Sequence, residues 1–263
     1  MTASDASGTT GSGSPETPTD YAAASRAALV EALTHAGPGR PTLCEGWNTE
    51  HLAAHIVLRE TSPLAVGLLL RPAAKRLEAE TIALGDAHAD EDSYARLLER
   101  VAAGPLGGRA LPDAGPRASG ASRTVARGRL GGAVRSVAAR LRGTSAGHAM
   151  ADQVQLLEFF VHTEDVRRAQ DRWAPRILAD DYADTLYRHL KGRVKLLYRE
   201  EPTGVELERR ARPASRTDNS PVMAKAPGDD GRTVHVTGPV GELVMHAFGR
   251  RRAALVIEDV HEA

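Results

Sequence analysis

The sequence has few aromatic residues and a single cysteine. Phenylalanine, tryptophan and tyrosine make up 4% of the 263 residues, so leucine, valine and alanine must form most of the core, which favours helices. Because Cys44 is alone, an internal disulfide and a metal site with several cysteine ligands are excluded. A single cysteine is also consistent with a reducing compartment.

The sequence also lacks an excess of charge, a long apolar segment and a recognisable leader. Its 34 basic and 34 acidic side chains balance, which excludes a general electrostatic attraction to nucleic acid or to an anionic membrane. The longest apolar stretch, residues 64–70, is far shorter than the roughly 20 residues that span a bilayer. The first residues lack the basic and apolar segments of a signal peptide. We therefore expect a cytoplasmic protein that binds neither nucleic acid nor membranes.

Composition divides the chain into three parts. Residues 1–17 are mostly serine, threonine, glycine and proline, which predicts a disordered tail. Residues 18–200 carry helical periodicity and predict a bundle, interrupted by the glycine- and arginine-rich residues 104–132. Such a stretch predicts a mobile loop, either functional or a disordered insertion. Residues 201–263 combine strand and helix patterns, which indicates a small α+β C-terminal domain.

Apolar residues at regular spacing predict the individual elements. Helices are expected from residue 20 to a stop at residues 37–39, after Thr49, and over residues 63–70, 73–84, 92–103, 148–171 and 178–199. Asp180 or Asp181 is expected to cap the last of these helices. In the C-terminal part, we expect strands over 205–208, 233–236 and 254–258 and a helix over 241–248.

Two ionisable residues lie on the apolar face of the predicted helix 148–171. Glu158 and His162 are four residues apart, so they share one side of the helix with the apolar residues of its buried stripe. Burying such groups is costly unless they are paired or bound to a metal. Asp165, one turn further on, could orient the imidazole of His162.

A histidine in the second predicted helix completes a possible metal-binding set. His55 lies between the apolar residues Leu52 and Ile56, and in an antiparallel bundle it would approach the pair on the later helix. Two imidazoles and one carboxylate are the ligands of a catalytic zinc site that keeps one open position. Two other interpretations stay open here: a hydrogen-bonded core histidine in the second helix and a favourable surface pair in the later one.

Other polar residues are assigned no chemistry at this stage. His51 lies four residues before His55 but toward the edge of the apolar face, so we expect it on the solvent side. Cys44 has no identifiable general base, and we expect it to serve in packing or in the turn before the second helix. His235 and His246 belong to the C-terminal part, away from the predicted metal site.

Two blocks of the sequence together resemble a known family. The blocks are residues 43–49 with 52–55, and residues 158–168. They are similar to the mycothiol-dependent maleylpyruvate isomerase family, and more narrowly to its metal-binding subgroup in the DinB-like superfamily, over roughly residues 18–260. The resemblance implies a mainly α fold, in which a DinB-like up-down four-helix bundle precedes a small α+β domain. It also implies a divalent metal, commonly zinc, held by His55, Glu158 and His162.

The resemblance further implies a chemistry for this site. The expected function is metal-dependent activation of mycothiol, a low-molecular-weight thiol, for attack on an electrophilic small molecule, giving isomerisation or thiol transfer. Arg167 is a candidate for binding an anionic group of the substrate. The alternative is a non-catalytic metal-binding or ligand-sensing bundle, and a helical interaction module without metal is a third hypothesis.

Overall fold

The computed structural model describes residues 20–61, 71–107, 145–210, 219–229 and 231–262. The predicted tail 1–17, the predicted helix 63–70 and the predicted loop 104–132 beyond residue 107 lie outside the described residues.

A helical part precedes a small mixed part, as the composition predicts. The helices of the first part are α1 (Tyr21–Ala36), α2 (Thr49–Thr61), α3 (Arg71–Asp86), α4 (Glu91–Gly107), α5 (Ser145–Arg168), α6 (Asp180–Lys191) and α7 (Val194–Leu197). The second part consists of β1 (Gly204–Arg209), β2 (Val222–Lys225), β3 (Thr233–Gly238), α8 (Val240–Ala247), a 3₁₀ turn (Arg251–Ala253) and β4 (Ile257–His261). No helix within these ranges is both long enough and apolar enough to cross a membrane.

The helical part is an up-down bundle whose core is aliphatic. Helix α1 packs against α5 and α4, and α2 packs against α4 and α3. Residues three or four positions apart on each helix fill the space between them, which is the spacing that places side chains on one helix face. The buried set includes Leu29, Leu33, Leu52, Ile56, Leu97, Val101 and Phe159.

Local sequence sets the ends of α1. The carboxylate of Asp20 accepts hydrogen bonds from the backbone N–H groups of Ala22 and Ala23, at 3.1 and 3.0 Å, and so caps the first turn. Gly37 ends the helix with a φ of 79°, a conformation that a side chain would disfavour. The predicted start and stop of this helix are both confirmed.

The C-terminal part is a four-stranded mixed sheet in the order β2-β1-β3-β4. Strand β1 pairs antiparallel with β2 and parallel with β3, and β3 pairs antiparallel with β4. Helix α8 contacts β1, β3, α5 and α6. Leu157, Phe160 and Val161 of α5 belong to the same core as this sheet, whereas Phe159 belongs to the core of the bundle. Helix α5 is therefore shared by the two parts.

The structure differs from the predicted elements in several places. The helix expected over 178–199 is interrupted after Lys191, where Gly192 and Arg193 separate α6 from α7. The predicted cap is also wrong, because Asp180 begins α6 and the preceding Ala179 supplies no side-chain hydrogen bond. In the sheet, β2 was not predicted because it spans only four residues, and β4 covers Ile257–His261 rather than the expected residues 254–258.

Candidate metal centre

A short loop fixes the position of α2 relative to α5. Gly46, at a φ of 75°, lies in the turn between Pro41 and Asn48, which form an antiparallel bridge. The backbone N–H of Leu43 donates to the backbone carbonyl of Asp165 at 3.0 Å, which ties the loop to the last turns of α5. The second helix thus starts at a defined distance from the helix that carries Glu158 and His162.

The three predicted ligands come together. His55 from α2 and Glu158 and His162 from α5 each offer a nitrogen or carboxylate oxygen, and these atoms all lie within 4.8 Å of one another. The two imidazole rings meet edge to face, with centroids 5.3 Å apart. His162 Nε2 lies 3.4 Å from Glu158 Oε2. The inward-facing polar residues of two separate helices therefore share one point.

The hydrogen bonds of His162 leave one ring nitrogen available. Nδ1 lies 3.0 Å from Oδ2 of Asp165. Burial alone would raise the pKa of Asp165, but His162 and Arg250 outweigh it and lower that pKa, so the carboxylate is ionised and Nδ1 must donate. Nε2 is buried and has no hydrogen-bond partner within the described residues. A buried imidazole with one nitrogen held by a carboxylate and the other free is arranged as a metal ligand is.

The protonation states suit a cation. Burial, with the neighbouring His162 adding to it, lowers the pKa of His55 to about 3, so this ring is neutral near pH 7. For Glu158, burial favours the neutral acid, but His162 and Arg59 outweigh it and hold the pKa well below its ordinary value. Burial opposes the charged form of His162 too, yet Asp165, Cys44 and Glu158 raise its pKa well above the ordinary value. This spot therefore favours one positive charge, either a proton or a bound cation.

Arg59 was not predicted as part of the site. It follows His55 by one helical turn, and its guanidinium forms an ion pair with Glu158. The signal was present in the sequence, because residues four apart share a helix face. This arginine keeps the carboxylate ionised and close to the imidazoles.

A second group of potential ligands lies beside the first. Cys44, His162 and Asp165 also offer atoms within 4.8 Å of one another. Here, however, Arg250 already supplies the positive charge. Its Nε donates to Asp165 Oδ1 at 2.9 Å, and its Nη2 to Asp165 Oδ2 at 2.8 Å and to Cys44 Sγ at 3.3 Å. The group that includes His55 is therefore the better candidate for a metal.

Sequence reasoning missed the positions of Cys44 and Arg250. The thiol donates to Asp165 Oδ2 at 3.2 Å, so the cysteine expected only to pack or shape a turn lies against the residue that holds His162. Arg250 comes from the turn after α8, 85 positions from Asp165, and no local pattern links the two. Both facts depend on how the C-terminal part packs on α5.

A cavity of about 950 Å³ opens over these residues, between the bundle and the C-terminal part. Its size is that of a small-molecule site. The lining includes His55, His162 and Cys44, and four arginines: Arg59, Arg250, Arg251 and Arg252. An anionic ligand would find guanidinium groups on both sides of the cluster. We call this space the metal-site cavity.

Arg167 does not reach the metal-site cavity. Its guanidinium donates to Glu164 Oε1 at 2.7 Å and to the carbonyl of Ala174 at 3.2 Å, and it lines a separate cavity. Its predicted role in binding substrate at the metal is not supported by this position and stays a prediction.

His51 and His246 lie outside the cluster. The expectation for His51 is wrong: it is buried, with Nε2 3.0 Å from Asp86 Oδ1 and Nδ1 accepting from the backbone N–H of Asn48. Its position at the edge of the apolar face brings it against α3 rather than solvent. His246 lies between Tyr198 and Glu258, at 2.6 and 3.0 Å.

Comparison with known proteins identifies one matching family model. The family model described as the mycothiol maleylpyruvate isomerase N-terminal domain matches residues 20–167, which is more than half of the chain. No curated protein matches the chain.

Two similar solved structures are those of the mycothiol-dependent maleylpyruvate isomerase and of a histidine-to-alanine mutant of it. The mutant's structure is 14% identical, with a TM-score of 0.50, and the other is 17% identical, with a TM-score of 0.49. Each comparison covers 91% of this chain and 90% of the other. The likeness to the mutant's structure indicates a shared fold, and with the family model it confirms the DinB-like helical bundle with a small C-terminal sheet. The chain belongs to the mycothiol-dependent maleylpyruvate isomerase family.

Proposed function

We propose that this chain is a zinc-dependent enzyme that uses mycothiol to isomerise, or to add sulfur to, an electrophilic small molecule. One observation carries the proposal: Nε2 of His162 is buried, has no hydrogen-bond partner in the part of the chain that the structure describes, and lies close to Glu158 and His55. A buried nitrogen without a hydrogen bond is costly, and a metal ion held by two imidazoles and a carboxylate would satisfy it.

The residues around the proposed ligands have positioning roles. Asp165 accepts a hydrogen bond from the Nδ1–H of His162, which leaves the Nε2 lone pair for a bound cation. Arg250 donates to both oxygens of Asp165 and holds that carboxylate in place. When bound, zinc would supply an acidified thiol, because a coordinated thiol loses its proton.

The cavity and the family name together support the proposed substrates. The family's name contains mycothiol and maleylpyruvate. The maleyl group is a cis alkene that carries a carboxylate. In the proposed isomerisation, the thiolate sulfur adds to one alkene carbon, forming a C–S bond while the π electrons move to the adjacent carbonyl as an enolate. Rotation and loss of the same C–S bond then give the trans alkene and return the thiolate. In thiol transfer, the enolate carbon takes up a proton instead.

The arginines of the metal-site cavity suit this chemistry. Arg251 and Arg252 line it opposite the helices, and Arg59 lies next to Glu158. Guanidinium groups bind carboxylates through paired hydrogen bonds and stabilise the negative charge that develops on an enolate. The same groups would hold the substrate with its alkene toward the thiol.

Elemental analysis tests the metal site first. We expect one zinc ion per chain in the purified protein and almost none in His162→Ala or Glu158→Gln, because either change removes a ligand. His235→Ala is the matched control, since this half-exposed histidine pairs with Glu206 in the sheet. Equal zinc in His162→Ala and in the unchanged protein would overturn the proposed ligand set.

Turnover tests the chemistry separately. The zinc-loaded protein should convert maleylpyruvate only when mycothiol is added, and the zinc-free protein should not. Zinc binding without any mycothiol-dependent reaction across a panel of electrophiles would refute the catalytic part and favour a metal-binding or ligand-sensing bundle.

A further inference from the structure

A second cavity lies against a different face of α5. Its volume is about 760 Å³, again that of a small-molecule site, and its wall includes Thr163, Val166 and Arg167 of α5 and Gln170 just after this helix. None of its lining residues lines the metal-site cavity. We call it the arginine cavity, after the guanidinium groups that line it.

The arginine cavity carries an excess of positive charge. Four arginines line it, against one carboxylate, Glu31; the arginines are Arg40, Arg167, Arg172 and Arg176. The buried Glu164 behind the wall does not restore the balance. Its Oε1 accepts from both Arg167 and Arg176, each at 2.7 Å, and its Oε2 accepts from Arg168 at 2.6 Å. One carboxylate therefore serves three guanidinium groups, two of which line the cavity.

Several of these groups have unused hydrogen-bonding capacity. Nη2 of Arg176 is buried and has no hydrogen-bond partner within the described residues. Arg40 and Arg172 form no ion pair with any residue that the structure describes. A guanidinium has five N–H donors, and leaving a buried one unpaired is costly, which applies to Arg176. Arg40 and Arg172 are exposed, so their N–H groups can bind either water or an anion.

Much of the remaining wall is apolar, and it includes an aromatic ring. Ala28, Ala32, Ala36 and Val166 line one side, and Trp173 lines another. A bare inorganic ion would leave this surface in contact with water, whereas an organic anion would cover it. The combination matches the usual composition of a ligand site, in which an apolar wall is supplemented by a few convergent polar groups.

We propose that the arginine cavity is a second binding site, which takes a small organic anion with an apolar body and at least one carboxylate or phosphate group. The site is separate from the proposed metal centre and needs neither the metal nor mycothiol. Arg40 and Arg172 would bind the anionic group directly, and Trp173 would contact the apolar body.

The two tryptophans allow each cavity to be observed alone. The chain contains two, of which Trp47 lines the metal-site cavity and Trp173 the arginine cavity. Trp47→Phe therefore leaves Trp173 as the fluorescent reporter, and Trp173→Phe leaves Trp47. The probes are phthalate, phenyl phosphate and the uncharged phthalamide, at constant ionic strength. Comparing the first two distinguishes carboxylate from phosphate recognition.

We expect phthalate or phenyl phosphate, but not phthalamide, to change the Trp173 fluorescence saturably. Arg40→Gln and Arg172→Gln should each weaken binding about tenfold, as loss of a charge-assisted hydrogen bond predicts. Both side chains are exposed, so the melting temperature should stay the same and serves as the folding check. Arg252→Gln, in the metal-site cavity, is the control and should leave this binding unchanged.

Three results would overturn the proposal. They are a linear, unsaturated response of Trp173, equal binding of phthalamide, and equal weakening by Arg252→Gln. Because the measurement needs no metal and no turnover, its failure would leave the proposed zinc site untouched, and loss of the zinc site would leave this prediction standing.

Discussion

Both cavities are lined by residues of α5 and by four arginines, but they differ in how carboxylates balance the arginine charges. In the metal-site cavity, the two arginines next to the cluster have separate carboxylate partners: Arg59 pairs with Glu158, and Arg250 with Asp165. In the arginine cavity, several guanidinium groups share the single buried carboxylate of Glu164. The first arrangement favours one further positive charge between the two imidazoles, either a proton or a metal ion, and the second favours an anion.

Two consecutive residues of α5 create this difference. Glu164 and Asp165 are both fully buried acids. Burial would raise the pKa of each, but arginines lower that of Glu164, and His162 and Arg250 lower that of Asp165. Successive helical residues point about 100° apart, so one carboxylate serves the arginine cavity and the next serves His162. Neighbours in sequence with the same chemistry therefore support different sites.

The largest effect is expected from removing the shared carboxylate. Glu164→Gln would remove the ion pairs of Arg167 and Arg176 and one of the two carboxylate partners of Arg168, which also binds Glu242, and we expect a loss of about 3 kcal/mol in the free energy of unfolding, measured with urea. Gln keeps the size of the side chain, so the loss would report charge rather than a cavity.

Glu31→Gln is the matched control for this change. Glu31 lines the same cavity but is exposed, so its substitution should alter stability by less than about 0.5 kcal/mol. Similar losses of stability in the two variants would mean that Glu164 does not balance the arginines. The proposed difference in charge balance between the two cavities would then be wrong for the arginine cavity.

A smaller effect is expected from the neighbouring acid. Asp165→Asn would weaken the hold on His162 Nδ1 and should lower zinc affinity about 10- to 100-fold, as changes next to metal ligands do. Competition with a chromophoric chelator measures this. Asp171→Asn is the control, because Asp171 is exposed and lies outside the lining of both cavities.

The same variant also sharpens the comparison of the two cavities. Phthalate binding, observed through Trp173, should be unchanged in Asp165→Asn, since this residue contacts the metal-site side alone. A matching loss of anion affinity would indicate that the two cavities act as one site.

The helical part of the fold could be predicted from the sequence because its signals are local. Apolar periodicity marks the helices, and Asp20 and Gly37 mark the ends of α1. The break after Lys191 and the four-residue strand β2 could not be predicted, since neither leaves a clear periodic signal. Whether a short element forms, and where it ends, depends on the residues that it packs against.

Prediction of the site had the same limit. The spacing of Glu158 and His162, and the place of His55 on an apolar face, indicated three residues that the structure brings within reach of one another. The place of Arg250 in the site depends on its contact with Asp165, 85 positions away, and no periodic pattern in the sequence predicts that contact. His51 was wrongly predicted to face solvent, because the helical pattern alone does not show which neighbouring helix covers that side of α2. Here it is α3, whose Asp86 contacts His51.

The smallest effect is expected from Cys44→Ser, which decides between the two candidate ligand groups. Serine can donate to Asp165 and accept from Arg250 as the thiol does, so stability should change by less than about 1 kcal/mol. Zinc content should equal that of the unchanged protein, because the ligands proposed are His55, Glu158 and His162. Cobalt substitution gives an independent readout, since a cysteine ligand produces a sulfur-to-cobalt absorption band and the proposed set does not. If that band appears and vanishes in Cys44→Ser, the metal lies with Cys44 and Asp165, and Arg250 must move away from them to admit it.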